Sequence, residues 1–470
     1  MCFRENFIWG AASSSYQIEG GVHEDGKGLS IWDVMCNRPD VISDGYSGNV
    51  SCDHYHRYKE DVAMMRQIGL KAYRFSISWP RILPEGVGRI NPKGIAFYDR
   101  LVDELLENNI LPFATLFHWD FPYELYKKGG WLSDDSSNWF ADYARTVVDA
   151  LSDRVKDWIT INETQSFIGL GHHRGLNAPG LKLSLKEWLH VSHNVLLAHG
   201  KAAQVIRSSS KSPCKIGYAP VGVVKVPATN SSQDIAVARQ ATFSITEKNC
   251  ENNTWWMDPI FLGKYPEDGL KLFGKNTPHF TDEDMRIISE PLDYFCINIY
   301  NGREVQAGID GKAEKWPRPA GYWRTNYGWS VVPQALYWGP KFFYERYKKP
   351  VFITENGMAN IDWKSLDGKV HDPQRINFLQ RYMLQLQKAI KEGVDVRGYL
   401  HWSLTDNFEW ADGFTKRFGL VYIDYRTQER ILKDSAYWYS KVISSNGRIL
   451  NEIPNEEMIL TSDLPASEVL

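Results

Sequence analysis

The chain has 470 residues, 43% hydrophobic and 24% charged, with a net charge of −3. This is ordinary globular composition, long enough for one large α/β barrel. It offers no basic field for a nucleic-acid backbone and no run of 18 apolar residues to span a membrane, so neither partner is expected.

Met1-Cys2-Phe3-Arg4 runs straight into folded-looking sequence, without the basic and apolar regions of a signal peptide. Cys2, Cys36, Cys52, Cys214, Cys250 and Cys296 form no CxxC pair and read as scattered free thiols of a reducing compartment. Sequons occur at Asn49, Asn162, Asn230 and Asn252. A glycan on Asn162 would be harmful if that residue serves a site. A cytoplasmic location is therefore expected. The 18 Trp, 24 Tyr and 21 Phe are mainly core filler, but flat rings also stack on the apolar faces of sugars.

In chain order, the expected strands are Phe7–Ala11, Lys71–Ile77, Pro112–His118, Trp158–Asn162, Lys215–Val221, Asp293–Ile299, Pro350–Glu355 and Val396–Trp402. They are short, apolar on both faces and rich in Ile, Val, Tyr and Phe, the pattern of buried parallel strands. Helical spacing lies between them at Ile95–Leu106, Phe140–Leu151 and Ile376–Ile390. Eight strands alternating with helices predict a single (β/α)8 TIM barrel over residues 1–450. The longest loop is expected at about 301–328. The segment 451–470, with five acids and no bases, reads as a separate acidic tail.

In such a barrel the chemistry belongs at the C-terminal ends of the strands. Those ends carry Arg74, His118, Asn162-Glu163, Asn298 with Tyr300, Glu355-Asn356, and Trp402. Thr160-Ile161-Asn162-Glu163 and Ile353-Thr354-Glu355-Asn356-Gly357 are alike and end the fourth and seventh strands. Two carboxylates across a barrel mouth suit glycosidic cleavage: one protonates the leaving oxygen, the other meets the oxocarbenium-like carbon. Their separation, and so retention or inversion, is not readable from the sequence.

From Phe3 to about Asn446 the chain resembles glycoside hydrolase family 1, the β-glucosidase group. The resemblance is carried in order by several motifs. They are Phe7-Ile8-Trp9-Gly10, Tyr16-Gln17-Ile18-Glu19-Gly20, Tyr73-Arg74-Phe75-Ser76-Ile77-Ser78-Trp79-Pro80-Arg81, Leu116-Phe117-His118-Trp119-Asp120, the two glutamate motifs, Trp402-Ser403-Leu404, Asp406-Asn407-Phe408-Glu409-Trp410 and Arg417-Phe418-Gly419. It implies a retaining β-glycosidase acting by double displacement on a small-molecule β-glycoside or oligosaccharide, with no cofactor and no metal. Glu355 would be the nucleophile, with Arg74 and Tyr300 holding it ionised, and Glu163 the acid/base. Gln17, His118, Asn162, Asn298, Tyr300, Glu409 and Trp410 would bind the glycone, Trp402 would stack beneath it, and Trp329 would lie on the aglycone side. The terminal residue would be β-D-glucosyl, with galactosyl, fucosyl or xylosyl open.

The chain departs from the family at Thr164, where proline is usual, and at His172-His173; residues 302–327 match no family pattern. A metal hydrolase is disfavoured because His54, His56, His190, His193 and His199 show no ligand spacing. Phospho-β-glycosidases replace the glutamate kept here as Glu409. A sugar-binding, catalytically dead relative would lack one of the two glutamates. A transglycosidase using the same residues stays open.

Overall fold

A computed structural model describes residues 3–452. Eight parallel strands form its centre: β1 Ile8–Ala12, β2 Ala72–Ser76, β3 Leu111–Phe117, β4 Asp157–Asn162, β5 Lys215–Ala219, β6 Phe295–Asn298, β7 Val351–Asn356 and β8 Val396–Trp402. Each expected strand is present, with ends moved by a residue or two. The ladder runs β5-β4-β3-β2-β1-β8-β7-β6. It closes between β5 and β6 by a few bonds: Asp293 N–H to the Ile216 carbonyl (2.9 Å), Asn298 N–H to the Pro220 carbonyl (3.0 Å) and Gly222 N–H to the Asn298 carbonyl (2.8 Å). The strands and intervening helices make the expected (β/α)8 barrel.

The continuous apolar runs have a simple cause: both strand faces are buried. Ala12, Ala72, Phe113, Ile159, Ala219, Cys296, Phe352 and Leu400 form one cluster with one residue from each strand, the filling of the barrel. The opposite strand faces join the helices in a larger cluster around the outside. The expected helical patterns lie within Pro92–Glu107, Ser136–Leu151 and Pro373–Lys391. Capping boxes start others, including the long helix Leu185–Ser209 at Ser184 and Glu187.

The stretch expected as a long loop is more ordered than that. Gly302–Ala307 and Ala313–Lys315 pair with each other, and Gly302–Ala307 pairs with Val224–Pro227 in a small second sheet. Only Gly302 and Val305 of the first strand are buried, so its sequence carries too little alternation to read as a strand. A hairpin, Val421–Asp424 with Glu429–Leu432, also went unread. The proposed acidic tail, from residue 453 onward, lies outside the described residues.

Candidate active site

Three irregularities of the ladder fall where the carboxylates emerge. Register shifts separate Ile159 from Asn162 on β4 against β5, Ile353 from Glu355 on β7 against β6, and Ile353 from Asn356 on β7 against β8. Such bulges re-aim side chains at the rims of barrels. The residue after Glu355-Asn356 must be glycine, because a Cβ on Gly357 would sit 1.9 Å from the Trp402 carbonyl oxygen. Glu163 itself adopts a left-handed backbone, φ 48°, which turns the chain out of β4 into a short helix.

Arg74, buried mid-strand in β2, organises the mouth. Its Nη1 donates to Glu355 Oε1 (2.5 Å), its Nη2 to Asn162 Oδ1 (2.6 Å) and its Nε to Thr115 Oγ1 (3.0 Å). Tyr300 donates its hydroxyl to the other oxygen, Glu355 Oε2, at 2.6 Å. Asn298 donates to Asn162 Oδ1 (3.0 Å) and to Glu163 Oε1 (2.9 Å), while its own Oδ1 accepts from Thr354 (2.7 Å). Asn162 Nδ2 donates to His118 Nε2 at 3.0 Å, which leaves the proton on His118 Nδ1. One connected set of bonds therefore holds both glutamates.

Burial raises the pKa of both carboxyls, but their surroundings differ. Glu163 is pushed up to about 7 by burial and by the charge of Glu355, against the opposing Asn298 donor. Glu355 is also raised by burial, opposed by the Arg74 guanidinium and the Tyr300 hydroxyl. The full cation and the phenolic donor belong to Glu355, so its partners favour the charged form there more than the Asn298 amide does at Glu163. His118 is held well below its usual range by burial and by Arg74, and stays a neutral imidazole.

The remaining expected residues form the walls. Gln17 Nε2 donates to the Phe408 carbonyl (2.9 Å) and lies 3.3 Å from Glu409 Oε2. Trp410 stacks on Trp119 with ring centres 4.5 Å apart, and Trp402 lies 5.6 Å from His118. Burial and the charges of Asp412, Glu355 and Glu163 push Glu409 well above the usual carboxylate range. Trp329 stacks on Tyr327 at 4.3 Å and tilts toward Tyr300 at 5.4 Å.

The sequence reading passed over several members of the set. Thr115 and Thr354 orient Arg74 and Asn298. Trp119 donates to the Asn162 carbonyl (3.0 Å), and Tyr327 donates to Asp412 (2.8 Å). Thr354 and Trp119 stood inside motifs already noted; Thr115 and Tyr327 had no local signal. His54 and His199 bond to Asp61 and Thr160, and His193 to Tyr265.

The arrangement can do paired-carboxylate chemistry: one carboxyl bonded to a cation, and a second whose pKa is pushed up to about 7. Known proteins are similar over almost the whole chain. A model of glycosyl hydrolase family 1 matches residues 1–448. A 1,4-β-D-glucan glucohydrolase of Thermotoga neapolitana is 44% identical over 446 residues, covering 95% of this chain and 99% of the relative. The β-glucosidase A of Thermotoga maritima is 44% identical over 446 residues, covering 95% and 98%. Among solved structures, the Thermotoga maritima β-glucosidase in complex with glucoimidazole matches with a TM-score of 0.87 at 44% identity, covering 95% of this chain and 99% of that one.

Proposed function

The chain belongs to glycosyl hydrolase family 1, whose members are retaining glycosidases, and from that premise we propose that it hydrolyses terminal β-D-glucosyl residues with Glu355 as nucleophile and Glu163 as acid/base. The observation that carries the assignment is the asymmetry of the two buried glutamates. Glu355 is bonded to Arg74 and Tyr300, while Glu163 has the Asn298 amide in place of a cation bonded to it and rises to about 7.

In the first step the Glu355 carboxylate attacks the anomeric carbon and forms an ester to it. The bond from that carbon to the leaving oxygen breaks, and the Glu163 proton moves to that oxygen. Glu163, now ionised, then removes a proton from water as the water attacks the anomeric carbon and the bond from that carbon to the Glu355 oxygen breaks. Glu355 departs as a carboxylate and the β-configured sugar is released. Arg74 stabilises the Glu355 carboxylate before the attack and again as it departs. Asn162, fixed by Arg74, His118 and Asn298, reaches the 2-hydroxyl, a contact that strengthens in the transition state. Gln17, His118, Glu409 and Trp410 bind the other hydroxyls, Trp402 supports the ring, and Trp329 with Tyr327 receives the aglycone.

The glucosyl preference rests on relatives named as β-glucosidases and a glucan glucohydrolase. A cytoplasmic site of action fits the complete burial of Asn162, whose sequon has no room for a glycan. The test is inactivation by a 2-deoxy-2-fluoro-β-glucosyl fluoride followed by peptide mass spectrometry. The label is expected on Glu355; a label elsewhere removes the assignment. A panel of nitrophenyl β-glycosides should give the highest kcat/KM for the glucoside.

A further inference from the structure

Immediately after Glu163 the chain has Thr164, where the family usually has proline. The Thr164 side chain is fully buried and its hydroxyl lies 2.5 Å from the hydroxyl of Tyr218 on β5. Neither hydroxyl has another side-chain partner among the described residues. Tyr218 is also fully buried. Its ring lies 5.0 Å from the His199 imidazole, and His199 Nδ1 meets Thr160 Oγ1 at 2.6 Å. Thr160 belongs to β4, so the column Thr160–His199–Tyr218–Thr164 begins and ends on the segment that delivers Glu163.

The main chain adds a second tie at the same place. Glu163 N–H donates to the carbonyl of Ala219, the residue after Tyr218, at 2.8 Å. Consecutive β5 residues therefore grip consecutive residues of the β4 exit, one by main chain and one by hydroxyl. Between the grips, Glu163 is in the left-handed region, φ 48°. A non-glycine residue holds that conformation only where its neighbours over-determine it. Arg74 and Tyr300, the two groups bonded to Glu355, make no hydrogen bond to Thr164 or Tyr218.

We propose that the buried Thr164–Tyr218 hydroxyl pair is a positioning device for Glu163, setting its carboxyl at the height of the glycosidic oxygen and doing in this chain what a rigid residue at position 164 would otherwise do. The inference rests on the reading of Glu163 as acid/base. The pair acts through the backbone, so its loss tilts the proton donor and leaves the attack by Glu355 intact.

The test compares kcat/KM, which reports the first chemical step, for 2,4-dinitrophenyl and octyl β-glucosides. Thr164→Val and Tyr218→Phe each remove a hydroxyl with little change in shape. Each is expected to lower kcat/KM for the octyl glucoside roughly 10- to 100-fold, because displacement of a catalytic group by about an ångström costs on that order. The dinitrophenyl glucoside, whose leaving group needs no proton, should stay within about twofold. The double variant should be no worse than either single one, since both remove the same contact. Thr164→Ser keeps the hydroxyl and should behave as wild type. If Thr164→Val does not fold, Tyr218→Phe reads the same pair. Equal losses on both substrates, unchanged activity on both, or additive losses in the double variant would overturn the inference. Glu163→Ala separates the failures. If it discriminates between the two glucosides while Thr164→Val and Tyr218→Phe do not, positioning falls and the acid/base reading stands. If Glu163→Ala itself fails to discriminate, both fall.

Discussion

Glu163 is where single-residue chemistry is most exposed to measurement. As the proposed acid it gives up its proton in the first step, and its pKa is pushed up to about 7, so kcat/KM on alkyl glucosides should fall as pH rises through that value. In Glu355→Gln the neighbouring charge, one cause of the rise, is gone. NMR titration of the Glu163 carboxyl should then give a lower value than in wild type; an unchanged value would remove the electrostatic coupling. Stability follows the same sign. A carboxyl raised on folding binds more protons in the native state between about 4.3, its unfolded value, and about 7. Its favourable contribution is present at low pH and lost as pH rises through 7. Glu163→Gln should therefore gain thermal stability over wild type at pH 8, and the gain should shrink toward zero as pH falls to about 4. Glu163→Ala should lose about 10²–10⁴-fold on alkyl glucosides and show a burst on dinitrophenyl glucoside. Azide should restore turnover as the β-glucosyl azide, and absence of that product would contradict the acid/base role. At the glycone's far wall, Glu409 is backed by Asp412, and Lys416 lies 4.0 Å from Asp412. A 6-phosphate there would press another anion against Glu409, whose carboxyl already resists ionising beside Asp412, Glu355 and Glu163, so the plain glucoside should exceed its 6-phosphate in kcat/KM by at least about 10²-fold.

At the scale of elements, the segment after β8 carries Glu409 and Trp410 yet has little regular structure of its own. It is anchored from below by buried ions. Lys433 Nζ lies 2.6 Å from both Asp362 and Asp406. Arg375 joins Asp362 (2.7 Å) to Asp372 (2.9 Å), and Arg417 pairs with Asp406 (2.7 Å). Asp406 also accepts the Gly419 N–H at 3.0 Å. Three cations and three carboxylates thus tie the segments after β7 and β8 to the helix Pro373–Lys391 and to the hairpin end. Lys433→Met leaves two buried carboxylates short of a partner, and breaking a buried pair in this way typically costs about 3–5 kcal/mol. Urea denaturation should show that loss, and KM should rise because Glu409 and Trp410 lose their footing. A variant with wild-type stability would show that the cluster does not hold the segment.

The whole barrel depends on how its two ends meet. The β5–β6 seam has few bonds, and at Gly217 a Cβ would lie 2.5 Å from Cys296 Sγ. Gly217→Ala should force the seam apart, destabilise the fold by about 1–3 kcal/mol and lower activity, because Asn298 at the end of β6 holds both Asn162 and Glu163. Adding Cys296→Ala removes the obstructing sulfur and should recover most of both losses in thermal unfolding and in kcat/KM. If the second change brings no recovery, the close approach at this seam is not what excludes a side chain.

The eight strands, the principal helices and the two glutamates were legible in the chain itself. A strand buried on both faces must be apolar throughout, and a polar residue that ends such a run has reached the barrel mouth. Glu163 and Glu355 announce themselves by that local rule. The sheet at Gly302–Ala307 did not, because a half-exposed short strand satisfies its backbone without a recognisable apolar pattern, and the alternation of Val421–Asp424 in the hairpin is only four residues long. Nor could the chain reveal that both Asn298 amide protons are taken by Asn162 and Glu163 or that Thr164 meets Tyr218; that Arg74 reaches Glu355 from another strand was expected from the family resemblance alone. Those pairings join residues remote in sequence. The different states of two similar glutamates follow from them, since desolvation and Coulomb interaction depend on distance in space, and only the closed barrel sets those distances.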